Sequence, residues 1–187
     1  APLEKIIEYF QAIAEVCDLP IIIQNTKPPL APTLSPDDLV EIVRAVRKIK
    51  YIKEEVVPTG QRISILLDKC GDLIDGIFGG LGGKFMFNEL DRGSSGIMPS
   101  CQIVDLHVQI YEKYRNGEIG EAQDLFNKIL PLINLDGNGT WLQNAKTILM
   151  KRGVIKTNVV RGEAPLDSKD RADLESVFES LKHLLLL

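Results

Sequence analysis

Tyr51-Ile52-Lys53, within residues 49–57, reads as a short buried strand that carries a lysine. Tyr51-Ile52-Lys53 puts an ammonium where apolar side chains normally sit. Two readings follow. The lysine sits at a solvent-facing strand end, or it is a functional amine. In a low-dielectric surround a lysine loses proton affinity and becomes a neutral amine able to attack a carbonyl. Upstream, the β-branched run at residues 19–23, between a proline and Gln24-Asn25, reads as a strand buried on both faces, the parallel-sheet kind. Between the two strands lie a proline-rich loop at 27–32 and a helix start at Ser35-Pro36-Asp37-Asp38. Ser35 is placed as its N-cap, Pro36 at the first helical position, and acids fill the first turn. That helix is predicted to run to about Lys48.

The same alternation extends in both directions. A helix period covers residues 4–16, with apolar residues at Ile6, Ile7, Phe10, Ile13, Ala14 and Val16. After the lysine strand come a helix over 60–69, a strand over 73–78, a glycine turn at 79–83, a helix over 84–91 and a short strand at Ile97-Met98. One helix and then four strands separated by helices is the signature of βαβ units and a parallel sheet. Beyond Ser100 the strand signal ends. Residues 104–114, 119–130, 140–151 and 168–187 all read as helices. Asp136-Gly137-Asn138-Gly139 reads as an interhelical turn, because it lacks the further oxygen ligands of a calcium loop. The expected organisation is a half barrel over residues 1–103 and a helical region over 104–187.

Composition narrows the function classes. The 187 residues carry 44% hydrophobic and 26% charged side chains, a soluble globular profile. A net charge of −4 gives a nucleic-acid partner little support. No apolar stretch reaches transmembrane length, and the terminal leucines are too few. Cys17, Cys70 and Cys101 stand apart without a C-x-x-C pair, which reads as buried reduced thiols in the cytoplasm. His107 and His183 are far apart, so no metal site is expected, and no cofactor is. The chain opens with Ala1-Pro2 and enters a helix at once, a start that suggests a missing upstream segment.

The set of motifs resembles the dihydrodipicolinate synthase / N-acetylneuraminate lyase family. The residues that carry the resemblance are Leu19-Pro20-Ile21-Ile22-Ile23-Gln24-Asn25, Leu34-Ser35-Pro36 and Ile49-Lys50-Tyr51-Ile52-Lys53-Glu54. Downstream they are Phe78-Gly79-Gly80, Gly93-Ser94-Ser95-Gly96-Ile97-Met98 and Tyr114-Arg115-Asn116-Gly117 with Ala122. Order and spacing agree across almost the whole chain. The resemblance implies an α/β fold: the C-terminal half of a TIM (β/α)₈ barrel, strands five to eight, followed by a helical extension. It puts Lys53 on the family's Schiff-base lysine, at the C-terminal face where barrel enzymes place their chemistry. It puts Gly79 and Gly80 near the glycine that lets substrate approach the seventh strand, and Met98 where an eighth-strand residue packs near the lysine. Gln24, Asn25 and Glu55 complete the implied substrate-binding set.

Two departures from the family pattern shape the functional expectation. Gln24-Asn25 stands where the family usually has Tyr-Asn. That tyrosine relays protons, whereas Gln24 can hydrogen-bond but cannot titrate, so proton transfer passes to water, the substrate carboxylate or a group such as Glu55. The first four barrel strands are also absent, and with them the family's hydroxyl pair for the substrate carboxylate. The implied activity is lyase action on a small-molecule 2-keto acid through a lysine imine. The missing tyrosine and the similarity of the stretch after Lys53 to sugar-acid dehydratase members favour dehydration of a 2-keto-3-deoxy sugar acid. The alternatives are an aldolase or synthase of the same family, or a non-catalytic barrel half that serves in assembly. The resemblance further implies a cytoplasmic homo-oligomer, a dimer or tetramer, without a nucleic-acid or membrane partner.

Overall fold

A computed structural model describes residues 2–186. The chain forms two compact units. The first runs to Leu81 and resumes over Phe85–Met98; the second takes Gly82–Lys84 and the chain from Pro99 onward.

In the first unit, helix α1 (Leu3–Val16) precedes β1 (Ile21–Asn25), α2 (Pro36–Ala45), β2 (Ile49–Glu54), α3 (Thr59–Cys70), β3 (Gly76–Gly79), α4 (Met86–Leu90) and β4 (Gly96–Ile97). The four strands make one sheet in chain order, β1-β2-β3-β4, with every pairing parallel. This is the strand–helix progression of half a TIM barrel. Its core lies between strands and helices. Ile23, Ile49, Ile52 and Ile77 of the sheet are buried with Leu39, Ile42, Val43, Ile63 and Leu66 of α2 and α3. Helix α2 starts as its cap residues dictate. Ser35 Oγ accepts from the Asp38 amide at 3.1 Å, and the Asp38 carboxylate accepts from the Ser35 amide at 2.8 Å. Those bonds hold the Asp38 carboxyl below its usual value.

The second unit is helical: α5 (Val104–Arg115), α6 (Ile119–Leu135), α7 (Trp141–Lys151) and α8 (Ser168–Leu181). Ile110, Phe126, Ile129, Leu132, Ile148, Leu174 and Phe178 are buried. Arg152, just past α7, ties that helix to the start of α5 and the turn before it. It binds the Asp105 carboxylate at 2.9 and 3.1 Å and the Gln102 carbonyl at 2.6 Å.

Several sequence expectations shift. The first strand starts at Ile21, not Leu19, and is not buried on both faces: Ile22 is 41% exposed while Ile23 is 2% exposed. Only the face toward the helices is covered, so the β-branched run alternates in burial. Helix α2 stops at Ala45 because a turn over residues 46–48 must lead into β2. Helix α6 runs through Pro131 to Leu135. Pro131 lies on the exposed face, and burial of Leu132 and Ile133 beyond it holds the last turn. The last helix ends at Leu181 and passes into a 3₁₀ turn, Lys182–Leu184; Leu187, to which the sequence pattern extends it, lies outside the described residues. Of the three thiols only Cys70 is buried; Cys17 is half-buried and Cys101 exposed. Among the described residues no helix is long and apolar enough to cross a membrane.

Candidate active site

Side chains alternate along β2, and that alternation sorts its charged residues onto two faces. Lys53 and Glu55 point one way, Glu54 the other. The Glu55 amide donates to the Asn25 carbonyl at 2.9 Å, so the extended geometry continues one residue past β2. Across the sheet Gln24 pairs with Lys53, and Lys53 with Phe78.

On the first face Lys53 Nζ lies 3.3 Å from Glu55 Oε1, with the two side chains 19% and 11% exposed. Gln24 Nε2 donates to Glu55 Oε2 at 2.5 Å, and the Leu81 amide donates to Oε1 at 3.0 Å. Burial works against the Glu55 charge. The Leu81 amide, Gln24 and Lys53 together outweigh it and hold the carboxyl below its ordinary value. Gly80 is part of this arrangement, because a Cβ there would fall 2.6 Å from Glu55 Cδ. Only a glycine lets the Glu55 stem lie flat on the strand end. Tyr51 and Phe78 pack ring to ring at 5.9 Å on the adjoining strands.

On the second face Glu54 is fully buried. Its carboxylate accepts from Asn25 Nδ2 at 3.0 and 3.1 Å and from the Val56 amide at 2.8 Å, and it pairs with Arg62 Nε at 3.1 Å. Burial nevertheless raises the Glu54 carboxyl above its usual value against all of these partners. Asn25 also accepts from the Leu34 amide at 3.0 Å, and Arg62 donates to the Leu34 carbonyl at 2.6 Å. Asn25, Glu54, Arg62 and Leu34 thus form one buried clamp closing the loop that follows β1. Glu89 of α4 also lies on this face, fully buried against Gly79. Burial pushes its carboxyl up to about 7; the Thr59 hydroxyl nearby works the other way, and Glu55 and Glu54 push it further up.

The sequence candidates therefore divide. Lys53, Glu55, Gln24 and Gly80 come together. Asn25 turns to the opposite face, where Glu54 and Leu34 take up its amide. Gly79 faces Glu89. Met98 continues the β3–β4 ladder through its amide, which donates to the Gly79 carbonyl at 2.9 Å, while the residue is 42% exposed. Sequence reasoning missed Glu54, Arg62 and Glu89. Period-two alternation could have found Glu54, a charge on the core-facing side of a strand whose neighbour Ile52 is buried. Among the described residues no three potential ligands cluster to hold a metal. The arrangement is an amine held beside a carboxylate.

The chain matches the dihydrodipicolinate synthetase family over residues 1–184. It is 26% identical over 186 residues to L-2-keto-3-deoxyarabonate dehydratase of Azospirillum brasilense, a match covering 99% of this chain and 60% of that protein. It is also 26% identical to an uncharacterized DapA-like lyase of Thermococcus kodakarensis, covering 98% of this chain and 61% of the relative. The solved structure of dihydrodipicolinate synthase from Rhodopseudomonas palustris superposes with a TM-score of 0.85 at 26% identity, over 96% of this chain and 62% of that one. The 4-hydroxy-tetrahydrodipicolinate synthase of Methylacidiphilum fumariolicum SolV shares the fold, with a TM-score of 0.86 at 22% identity over 98% and 61% of the two chains. The chain thus spans about three fifths of the length of these relatives.

Proposed function

We propose that this chain, which belongs to the dihydrodipicolinate synthetase family, carries the imine-forming half of a lyase acting on a 2-keto acid. The observation that supports this most is the sheltered pair of Lys53 Nζ and Glu55 Oε1 at 3.3 Å. In this reading Lys53 attacks the C2 ketone and water leaves, giving a protonated imine. The imine withdraws electrons, so a C3 proton can be removed, and Glu55 is the base within reach. An enamine forms, the C4 hydroxyl then leaves with a proton as water, and hydrolysis of the imine frees Lys53. Gln24 orients Glu55, and Gly80 gives it room.

Dehydration of a 2-keto-3-deoxy sugar acid is the proposed reaction. Retro-aldol cleavage must take a proton from the C4 hydroxyl, a task suited to a tyrosine, and Gln24 occupies that position on β1. Glu55, held as a carboxylate, suits C3 deprotonation. The dehydratase relative supports the same choice. We further propose a cytoplasmic homo-oligomer that takes a small-molecule substrate.

Borohydride reduction in the presence of pyruvate tests the amine. The expected result is a stable pyruvate adduct on Lys53, less than about a hundredth of it in Lys53→Arg, because arginine keeps the charge but is not a usable nucleophile at neutral pH. An undiminished adduct in Lys53→Arg would remove Lys53 from the imine role. Product analysis then separates the chemistries, since only an aldolase releases free pyruvate from a 2-keto-3-deoxy sugar acid.

A further inference from the structure

Glu89 stands apart from the other acids of the sheet unit. Glu54 has Arg62 and Asn25; Glu55 has Lys53, Gln24 and the Leu81 amide. Glu89 is 0% exposed, the Thr59 hydroxyl is its one polar neighbour that favours the charged form, and among the described residues no cation pairs with it. Its carboxylate lies on the Cα of Gly79, where any side chain would overlap it, just as Glu55 lies on Gly80. Two successive glycines at the end of β3 therefore separate Glu89 from Glu55. The cations of the neighbouring elements are engaged elsewhere. Arg62 of α3 is committed to Glu54 and Leu34, Lys69 of α3 to Asp37, and Arg92 donates to Ser64 at 3.1 Å. The strand packed beside α4, β4, is Gly96-Ile97 and offers no charge.

We propose that Glu89 is a positioning residue that works through its proton: protonated, it leaves the Gly79–Gly80 turn balanced, and ionised, it adds a negative charge behind Glu55 that strengthens the hold on the Lys53 ammonium. A buried carboxylate without a cation is costly, so the proton is retained until the solution is near neutral, in keeping with the value of about 7. The ionised form tightens the Lys53–Glu55 ion pair and so withholds the amine from reaction. Glu89 touches neither Lys53 nor substrate; its effect runs through the field at Glu55. The reading of Lys53 as the imine-forming amine gives this its functional meaning, but the test reads the amine directly.

Competitive acylation of the folded chain, with adducts at Lys53 quantified by mass spectrometry against the exposed Lys5, measures that hold. Glu89→Gln is neutral at every pH. It should raise the Lys53 labelling rate roughly threefold at pH 8, where Glu89 is ionised, and leave it unchanged at pH 5.5. In the unmutated chain, with glutamate carboxyls labelled by ¹³C, one carboxyl should titrate near neutrality. That measurement stands even if the variant does not fold. Equal Lys53 labelling in both proteins at pH 8, or every glutamate titrating below pH 6, would overturn the proposal. Failure of pyruvate trapping at Lys53 would instead remove the imine reading and leave the labelling difference as it is.

Discussion

Single residues decide this site by where their polar atoms end. Asn25 shows it most clearly, since its one amide serves the Glu54 carboxylate and both main-chain groups of Leu34. Asn25→Ala strips donors from a buried carboxylate and leaves the Leu34 amide without its acceptor, at an expected cost of about 3 kcal/mol. Urea denaturation at pH 7 measures it, and a loss under about 0.5 kcal/mol would mean that the clamp contributes nothing. Glu89 gives a pH signature of opposite origin. Its folded value of about 7 lies above the ordinary 4.5. The native state therefore keeps a proton that the unfolded chain releases, and this contribution is complete below pH 4.5 and lost as the pH rises to 7. Glu89→Gln lacks that loss. Its stability relative to the unmutated chain should climb between pH 5 and 7 by on the order of 2–3 kcal/mol. A flat difference across that window would show that Glu89 ionises normally.

Among the elements, α2 is the one whose local chemistry suffices to place it. The reciprocal Ser35–Asp38 bonds satisfy two amides that the first turn would otherwise leave open. Ser35→Ala should cost about 1 kcal/mol, read as a shift in the denaturation midpoint at constant slope; an unchanged midpoint would assign the helix start to packing alone. The same locality explains what could be read in advance. Caps, glycine turns and apolar periods gave the order of strands and helices, and the lysine in an apolar strand gave the amine. Strand burial was less legible. The run Ile21-Ile22-Ile23 looks the same whether one or both faces are covered, and here Ile22 is open. The partners of Glu54 were not legible either. Arg62 and Asn25 come from different elements, and only the folded sheet brings them together. Glu89 had no local sign at all, because a glutamate in Phe87-Asn88-Glu89-Leu90 looks solvated until β3 is set beneath it.

At the scale of the whole molecule, the sheet has two unpaired outer edges, β1 and β4, among the described residues. Ile22 and Met98 are exposed on or beside these strands. Open edges next to apolar surface favour pairing with another chain. The purified 187-residue chain should therefore sediment as a dimer or larger, and a dilution-resistant monomer with one cooperative melt would contradict this. The alternation along β2 also has a meaning for the history of the sequence. Lys53 and Glu55 belong to one face and Glu54 to the other, so the site is written in parity. Deleting one residue from the strand would send an ammonium into the Arg62 clamp and turn Glu54 outward. Loops can gain or lose residues freely, but this strand can drift only two at a time. Insertions and deletions in its descendants should be sorted accordingly, tolerated on either side of residues 49–55 and purged within them whenever their length is odd.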